Sequence, residues 1–380
     1  MRLKTLLKID ISNKKVLLRV GFDVPIENGK IVDDHRVIEG LPTIKYLLER
    51  GCEITVINHI GRPEGKVDSS LSNKPVEERV KELIDSEEAT EIYASQNQNN
   101  FFPAKKFSFT SPVDPAVAGN QAQRAAGYSS RHIYRSSNKL KFLENIRFDP
   151  REEKNDNSLA QKLAQGQDIF IQDAFSNCHR VHASMVAITQ FLPSYAGLLV
   201  EKEVKELSKL IDNPAKPMVV IIGGAKVETK VPIIENLKKI ADFILVGGAT
   251  ANEANVKGLF VNDDKIIIPI DGIKDENNVD RDIGAKTVAI FKEKLSPVKT
   301  IFWSGNLGMT EDERFKNGSQ EIAEYITTLK AFKTVGGGDT VKFINDLKLA
   351  SSFDFISTGG GASLAFLSGK ELPGLLPFRM

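Results

Sequence analysis

Cysteine is almost missing from this chain: only Cys52 and Cys178 occur in 380 residues, and they form no CxxC pair. A disulfide scaffold and a cysteine-built zinc site are thereby excluded, and reduced thiols in a cytoplasmic protein are the expectation. An excess of either charge is missing too, with 51 Lys+Arg against 50 Asp+Glu and a net charge of +1. Such balance leaves no footprint for nucleic acid or an anionic membrane surface, so any basic site must be local. No apolar run approaches a membrane span, and Met1-Arg2-Leu3-Lys4-Thr5-Leu6-Leu7-Lys8 is too short for a signal peptide. Neither GxxxxGK[ST] nor GxGxxG is present, which argues against a P-loop enzyme and a dinucleotide-binding dehydrogenase.

What is present is organised around Val219-Val220-Ile221-Ile222-Gly223-Gly224-Ala225-Lys226-Val227-Glu228-Thr229-Lys230. Four β-branched residues read as a buried strand, two glycines let a ligand approach the backbone, and the next helix offers free N–H groups with a positive dipole end. This is a place for phosphate. Lys226 and Lys230, four residues apart, would share a helix face.

The first half reads as βαβ and hence as parallel sheet. Lys15 to Val20 is a strand, Glu27-Asn28-Gly29-Lys30 a tight turn, and Asp33-Asp34 caps a helix that ends at Gly51. Ile54 to Ile57 is the next strand and Val76 to Ile84 a helix. From 86 to 139 no apolar period lasts, and this stretch is left unassigned as an insertion or aberrant segment. Pattern returns with a strand over Leu140 to Phe148, a helix near Leu159 to Ala164 and a strand over Asp168 to Gln172. A helix with Leu198, Leu199, Val204, Leu207, Leu210 and Ile211 on one face, within 196–214, is the candidate connector between two domains.

Beyond it the alternation continues: helix Val231 to Ile240, strands Phe243 to Val246, Ile266 to Ile270, Thr300 to Trp303, one ending at Val335, and Phe353 to Ser357. Five glycine-bearing strand-to-helix turns follow, including Gly247-Gly248 and Gly336-Gly337-Gly338-Asp339-Thr340, and in a parallel sheet all lie on one edge. The two halves therefore differ. The first places Arg19, Arg36, His59, Arg62, Arg147 and Arg180 at strand ends, which suits a small, multiply anionic substrate. The second places glycines, Lys226, Lys230, Asp339 and Thr340 there, which suits nucleotide phosphates and their Mg²⁺. Cys178, His179 and His182 lack further zinc-like ligands and read as a structural or anion-binding loop.

These residues resemble the phosphoglycerate kinase family in eight ordered motifs. They are RVGFDVP at 19–25, HIGRP at 59–63, LENIRF at 143–148, DAFSNCHRVHASM at 173–185, GGAKVETK at 223–230, WSGNLGMTE at 303–311, GGGDT at 336–340 and STGGGASL at 357–364. The resemblance implies an α/β enzyme of two doubly wound, Rossmann-like parallel-sheet domains joined by a helical hinge. It implies phosphoryl transfer between 1,3-bisphosphoglycerate and ADP, giving 3-phosphoglycerate and ATP in glycolysis, by a cytoplasmic monomer. The implied division is a phosphoglycerate domain over 1–195, a nucleotide domain over 215–365 and a tail over 366–380 returning to the first domain.

By the same resemblance Arg19, Asp23, Arg36, His59, Arg62, Arg147 and Arg180 serve the phosphoglycerate. Gly223, Gly224, Ala225, Lys226, Lys230, Gly247, Gly248, Glu311, Gly337, Gly338, Asp339 and Thr340 serve the nucleotide, with Asp339 on its Mg²⁺ and Glu311 on its ribose. Arg36 and Lys226 are the expected charge-stabilising pair for the phosphoryl group in flight. The chain departs from the family at Gly21 and Asp23, where RVDFNVP is usual, so a carboxylate for the substrate hydroxyl is lost unless Asp23 takes over. It departs again at Ser304 and Asn306, where WNGP is usual, at Ala365, where a glutamate is usual, and between Asn255 and Asp282, where it looks shortened. A catalytically impaired nucleotide-binding protein with the same fold is the alternative reading.

Overall fold

The computed structural model describes residues 1–86, 139–224 and 227–380; the expectations for most of 86–139 and for Ala225 and Lys226 fall outside these residues. Runs such as Val16-Leu17-Leu18 and Val219-Val220-Ile221-Ile222 are apolar at every position, so both faces of their strands must be covered, and they sit at the centre of parallel sheets. In chain order the first half contributes β1 (Lys15–Arg19), a hairpin of β2 (Ile26–Glu27) and β3 (Lys30–Ile31), α1 (His35–Glu49), β4 (Glu53–Ile57), α2 (Lys74–Asp85), β5 (Leu140–Phe142), α3 (Asn157–Ala164), β6 (Ile169–Gln172) and β7 (Ser194–Ala196). Its sheet runs β5-β4-β1-β6-β7 with every pairing parallel.

The second half contributes β8 (Met218–Ile222), α5 (Val227–Leu237), β9 (Phe243–Val246), α6 (Gly248–Val256), β10 (Ile266–Ile267), the β11 (Gly272–Lys274) and β12 (Asp280–Ile283) hairpin, α7 (Ala285–Leu295), β13 (Thr300–Ser304), α8 (Asn317–Thr328), β14 (Phe332–Gly336), α9 (Gly338–Asp346), β15 (Phe355–Ser357) and α10 (Gly361–Leu367). Its sheet runs β10-β9-β8-β13-β14-β15, again wholly parallel. Both sheets wind outward from their first strand in two directions, the doubly wound order, and such sheets bind ligands where the winding reverses, beyond the carboxyl ends of the strands.

Between the sheets lies α4 (Leu198–Asp212), shorter by two residues at each end than the 196–214 expected. Its Val204, Leu207 and Leu210 share one apolar cluster with Leu17 and Phe170 of the first sheet and with Val220 and Phe302 of the second. Two fully buried carboxylates fix it. Asp173, directly after β6, accepts the N–H groups of Leu199 at 2.9 Å and Val200 at 3.3 Å, while Glu203 on α4 accepts the Ser357 hydroxyl at 2.7 Å and the Thr358 N–H at 2.6 Å. The last residues turn back to the first sheet: Phe378 packs on Phe170 and Leu3 bridges Arg379. The expected tail boundary at 366 falls inside α10.

Three expected elements are corrected. The strand over Leu140 to Phe148 stops at Phe142, because Glu144 takes the Asn73 N–H at 2.8 Å and the Asn145 amide donates to the carbonyls of Ile60 and Leu71, both at 2.8 Å. The backbone leaves the ladder there and forms a 3₁₀ turn at Ile146–Phe148. The strand over Ile266 to Ile270 ends at Ile267, two residues before Pro269, which has no N–H to give a ladder. The helix expected over Val231 to Ile240 is α5, which begins four residues earlier and ends three earlier. The Asp33-Asp34 cap divides its work: Asp33 accepts the His35 N–H at 2.9 Å, whereas Asp34 binds Arg79 at 2.7 Å.

Candidate active site

The basic residues of the first half reach this surface from strand ends and turns, except Arg36, which was expected at a strand end and stands in the first turn of α1. Arg19 closes β1, His59 follows β4, Arg147 sits in the 3₁₀ turn made by Asn145, and Arg180 follows the Phe175–Asn177 turn after β6. Arg19, His59 and Arg147 are buried, Arg180 is half-buried and Arg62 is exposed. Arg19 Nη2 lies 3.1 Å from His59 Nδ1, and Arg147 Nη1 donates to the Gly61 carbonyl at 2.7 Å. Arg147 Nη2 and Arg180 Nε are buried without a hydrogen-bond partner. Buried donors without acceptors are costly, and an anion would satisfy them.

The electrostatics agree. Burial and then the neighbouring charges, Glu152 raising and Arg147 lowering, bring the Arg19 guanidinium to about 10. Burial first, then Arg19, Arg147 and Arg180, push His59 well below its usual value, so its ring is neutral. His182 is lowered to about 3 by burial and the same arginines. Asp23 is the carboxylate of this surface. Its Oδ1 accepts the Gly61 N–H at 2.9 Å and its Oδ2 stands 3.6 Å from His59 Nε2.

On the other sheet the glycine turns are stitched to one another. Gly224 N–H donates to Asn306 O at 2.8 Å, Gly248 N–H to Leu307 O at 2.8 Å, and Gly305 N–H to the Thr340 hydroxyl at 2.8 Å. A Cβ on Gly223 would lie 2.0 Å from Asn306 O, so these backbones pack with no side chain between them. Lys230 Nζ donates to Gly223 O, turning back to its own loop. Gly247 is buried and Gly337, Gly338 and Asp339 line the start of α9, where Asp339 is an exposed first-turn carboxylate. Glu311 is exposed on the turn after β13. Asn306 donates to the Thr310 hydroxyl at 2.6 Å and leaves its Oδ1 buried without a partner. A pocket of about 110 Å³ opens beside Gly248 and Leu307, walled by Asn252, Asp280 and Asp282.

The two sides meet at Arg36. Its Nη1 donates to the Asp23 carbonyl at 2.6 Å, and a Cβ on Gly338 would sit 3.5 Å from its Nη2. A larger cavity of about 610 Å³, between Asp33, Asp34 and Arg79 on one side and Lys342 and Asp346 on the other, contains none of the expected site residues.

Sequence reasoning missed Asp173, Glu203, Thr250, Glu152 and Ser184. Thr250 donates its hydroxyl to Gly224 O at 2.8 Å and holds the first glycine turn. Glu203 had a signal: it falls between Leu199 and Leu207 in the apolar stripe of α4, where a charge is out of place. Glu152 stands among exposed charges in sequence and had none. Among the described residues no group of three or more His, Cys, Asp and Glu side chains is placed to hold a metal ion.

An arginine-rich anion surface on one doubly wound domain and a glycine-lined strand edge on another, with one arginine between them, define a two-domain α/β protein of the phosphotransferase kind. The phosphoglycerate kinase family model matches residues 6–262 and 256–370, and the chain belongs to that family. It is 38% identical over 416 residues to a phosphoglycerate kinase of Fervidobacterium nodosum, covering 98% of this chain and 97% of that protein. It is likewise 38% identical to one from Thermosipho africanus, covering 98% and 96%. Both alignments are longer than this 380-residue chain, so each relative carries residues that it lacks. Among solved structures it superposes on phosphoglycerate kinase from Pyrococcus horikoshii OT3 with a TM-score of 0.75 and 26% identity, covering 98% of each chain. The Coxiella burnetii structure gives a TM-score of 0.70 and 27% identity, covering 99% and 98%. The first matched span of the family model runs through residues 86–139.

Proposed function

We propose that this family member transfers a phosphoryl group between 1,3-bisphosphoglycerate and ADP, giving 3-phosphoglycerate and ATP. The observation that carries the reading is Arg36, hydrogen-bonded in the anion surface and reaching the α9 start beside the glycine edge. The anion surface of Arg19, His59, Arg62, Arg147 and Arg180 binds the three-carbon acid, and the orphaned donors of Arg147 and Arg180 take its phosphate. The turns at Gly223, Gly224, Gly247, Gly248, Gly337 and Gly338 hold the nucleotide by backbone N–H groups, with Ala225, Lys226, Lys230 and Thr340 beside them and Glu311 on the ribose.

The acceptor is a carboxylate or a phosphate, already ionised, so no general base is needed. Arg36 and Lys226 stabilise charge on the phosphoryl group as α4 brings the two domains together, and exclusion of water strengthens both contacts. Asp339, an exposed carboxylate beside phosphate-binding turns, fits a Mg²⁺ that keeps several waters and arrives with its nucleotide. Bound there, Mg²⁺ supplies further neutralisation of the phosphate charge. The domains are those divided at α4, and the enzyme works as a cytoplasmic monomer. A coupled assay with ATP, Mg²⁺ and 3-phosphoglycerate tests the reading; a folded sample that binds nucleotide without turnover would support the impaired alternative.

A further inference from the structure

Beneath the anion surface lies a carboxylate that the reaction does not touch. Glu152 is fully buried, its Oε1 accepts the Ser184 hydroxyl at 2.6 Å, and its Oε2 accepts the Ser184 N–H at 2.9 Å. Ser184 Oγ in turn accepts Arg19 Nε–H at 2.9 Å. The hydroxyl has one proton, and arginine can only donate, so that proton must point at Glu152. Burial pushes the Glu152 carboxyl up, while Arg19 and the two Ser184 bonds draw it back.

Both Nη atoms of Arg19 also have acceptors. Nη1 faces the carbonyls of Val20 and Ile57, and Nη2 faces His59 Nδ1 at 3.1 Å. Because guanidinium has no acceptor, Nδ1 must accept, and the proton of the neutral ring sits on Nε2. That Nε2–H looks toward Asp23 Oδ2 at 3.6 Å; the Asn177 amide, whose Nδ2 stands 3.5 Å from Nε2, joins the row only with its Oδ1 turned to the ring, since Nδ2 can only donate. Every link in the row from Glu152 to His59 therefore has one direction.

We propose that Glu152 is a positioning residue: through Ser184 and Arg19 it fixes His59 as the Nε2–H tautomer, a neutral donor aimed at the substrate anion. The inference rests on assigning this surface to the phosphoglycerate. A carboxylate that served only as a counter-charge would leave the guanidinium on His59 Nδ1, and the tautomer unchanged, when the Ser184 link is cut, which makes the two roles separable.

The test is ¹⁵N-histidine NMR on the full chain, with His59→Gln to assign the His59 signals. Wild type is expected to show the Nε2–H pattern, with no titration near the ordinary histidine value. Ser184→Ala removes the link while keeping Glu152 and Arg19. It is expected to average the two tautomers and to raise KM for 3-phosphoglycerate about tenfold, with KM for Mg-ATP unchanged. Glu152→Gln is expected to act in the same direction, since its amide N–H₂ competes with Arg19 for the Ser184 lone pairs; should it fail to fold, Ser184→Ala decides. A single Nε2–H signal persisting in Ser184→Ala overturns the proposal whatever happens to KM. The NMR reading needs no turnover, so an inactive wild type would refute the kinase reading without touching this one.

Discussion

Gly21 and Ser176 share one space: a Cβ added at Gly21 would meet Ser176 Oγ at 2.7 Å and Ala174 Cα at 3.4 Å. The aspartate usual at the first position therefore cannot simply be restored. Gly21→Asp alone is expected to destabilise the chain by about 1–3 kcal/mol through overpacking. Gly21→Asp combined with Ser176→Gly should recover most of that loss, measured as non-additivity in urea denaturation.

Asp23 has one oxygen committed to the Gly61 N–H and a second turned to His59 and the cleft. A carboxylate facing an anionic substrate repels it unless it accepts a hydroxyl proton. Asp23→Ala is expected to lower kcat/KM for 3-phosphoglycerate more than for 3-phosphopropionate, which lacks the hydroxyl. The discrimination should fall by about tenfold; equal losses on both would leave Asp23 with a charge-balancing role only.

For Lys226 the expectation rests on the GGAKVETK motif alone, since its position lies outside the described residues. Lys226→Met is expected to lower kcat by about 10²–10³ with an unchanged melting temperature. A retained rate would remove the residue from the transition-state contacts.

Gly223→Ala would place a methyl group 2.0 Å from Asn306 O, and the turn must open to admit it. Nucleotide affinity should fall together with stability. Trp303 reports both: it is the sole tryptophan, fully buried, and its Nε1–H donates to the Gly305 carbonyl at 2.8 Å. A titration of its fluorescence with ADP should therefore weaken in the variant.

Asp173 and Glu203 are both raised to about 7, first by burial, against ordinary values of 3.8 and 4.5. The native state thus binds their protons more tightly than the unfolded chain. Their stabilising contribution is full below about pH 4 and is lost as pH rises through about 7, at most about 1.4 kcal/mol per pH unit for each group. Glu203→Gln should flatten the decline in unfolding free energy between about pH 5 and 8. An unchanged slope would mean that Glu203 is ionised throughout.

Much of the architecture was legible because the signals were local. Apolar runs ending in glycine mark buried parallel strands, and β8, β9, β13 and β14 are where they were expected. Arg19, His59, Arg147 and Arg180 were legible as basic residue types after strands and do converge, with His59 neutral. What was hidden depends on pairs distant in sequence. Glu144 ends the β5 strand by binding Asn73, 71 positions away, and Glu203 finds Ser357 across 154. Ser184 reads as an ordinary loop serine until Arg19 is placed against it.

Phe378 and Arg379 close over β1's neighbours only after the whole second sheet has been passed in the chain, and the Lys4 N–H takes the Phe378 carbonyl at 2.7 Å. During synthesis the first domain must therefore leave the ribosome with that flank of its core uncovered, and wait for roughly a domain's length of chain before it is sealed. Deleting the last few residues should act on the yield of folded protein far more than on the chemistry at the opposite edge of the sheets.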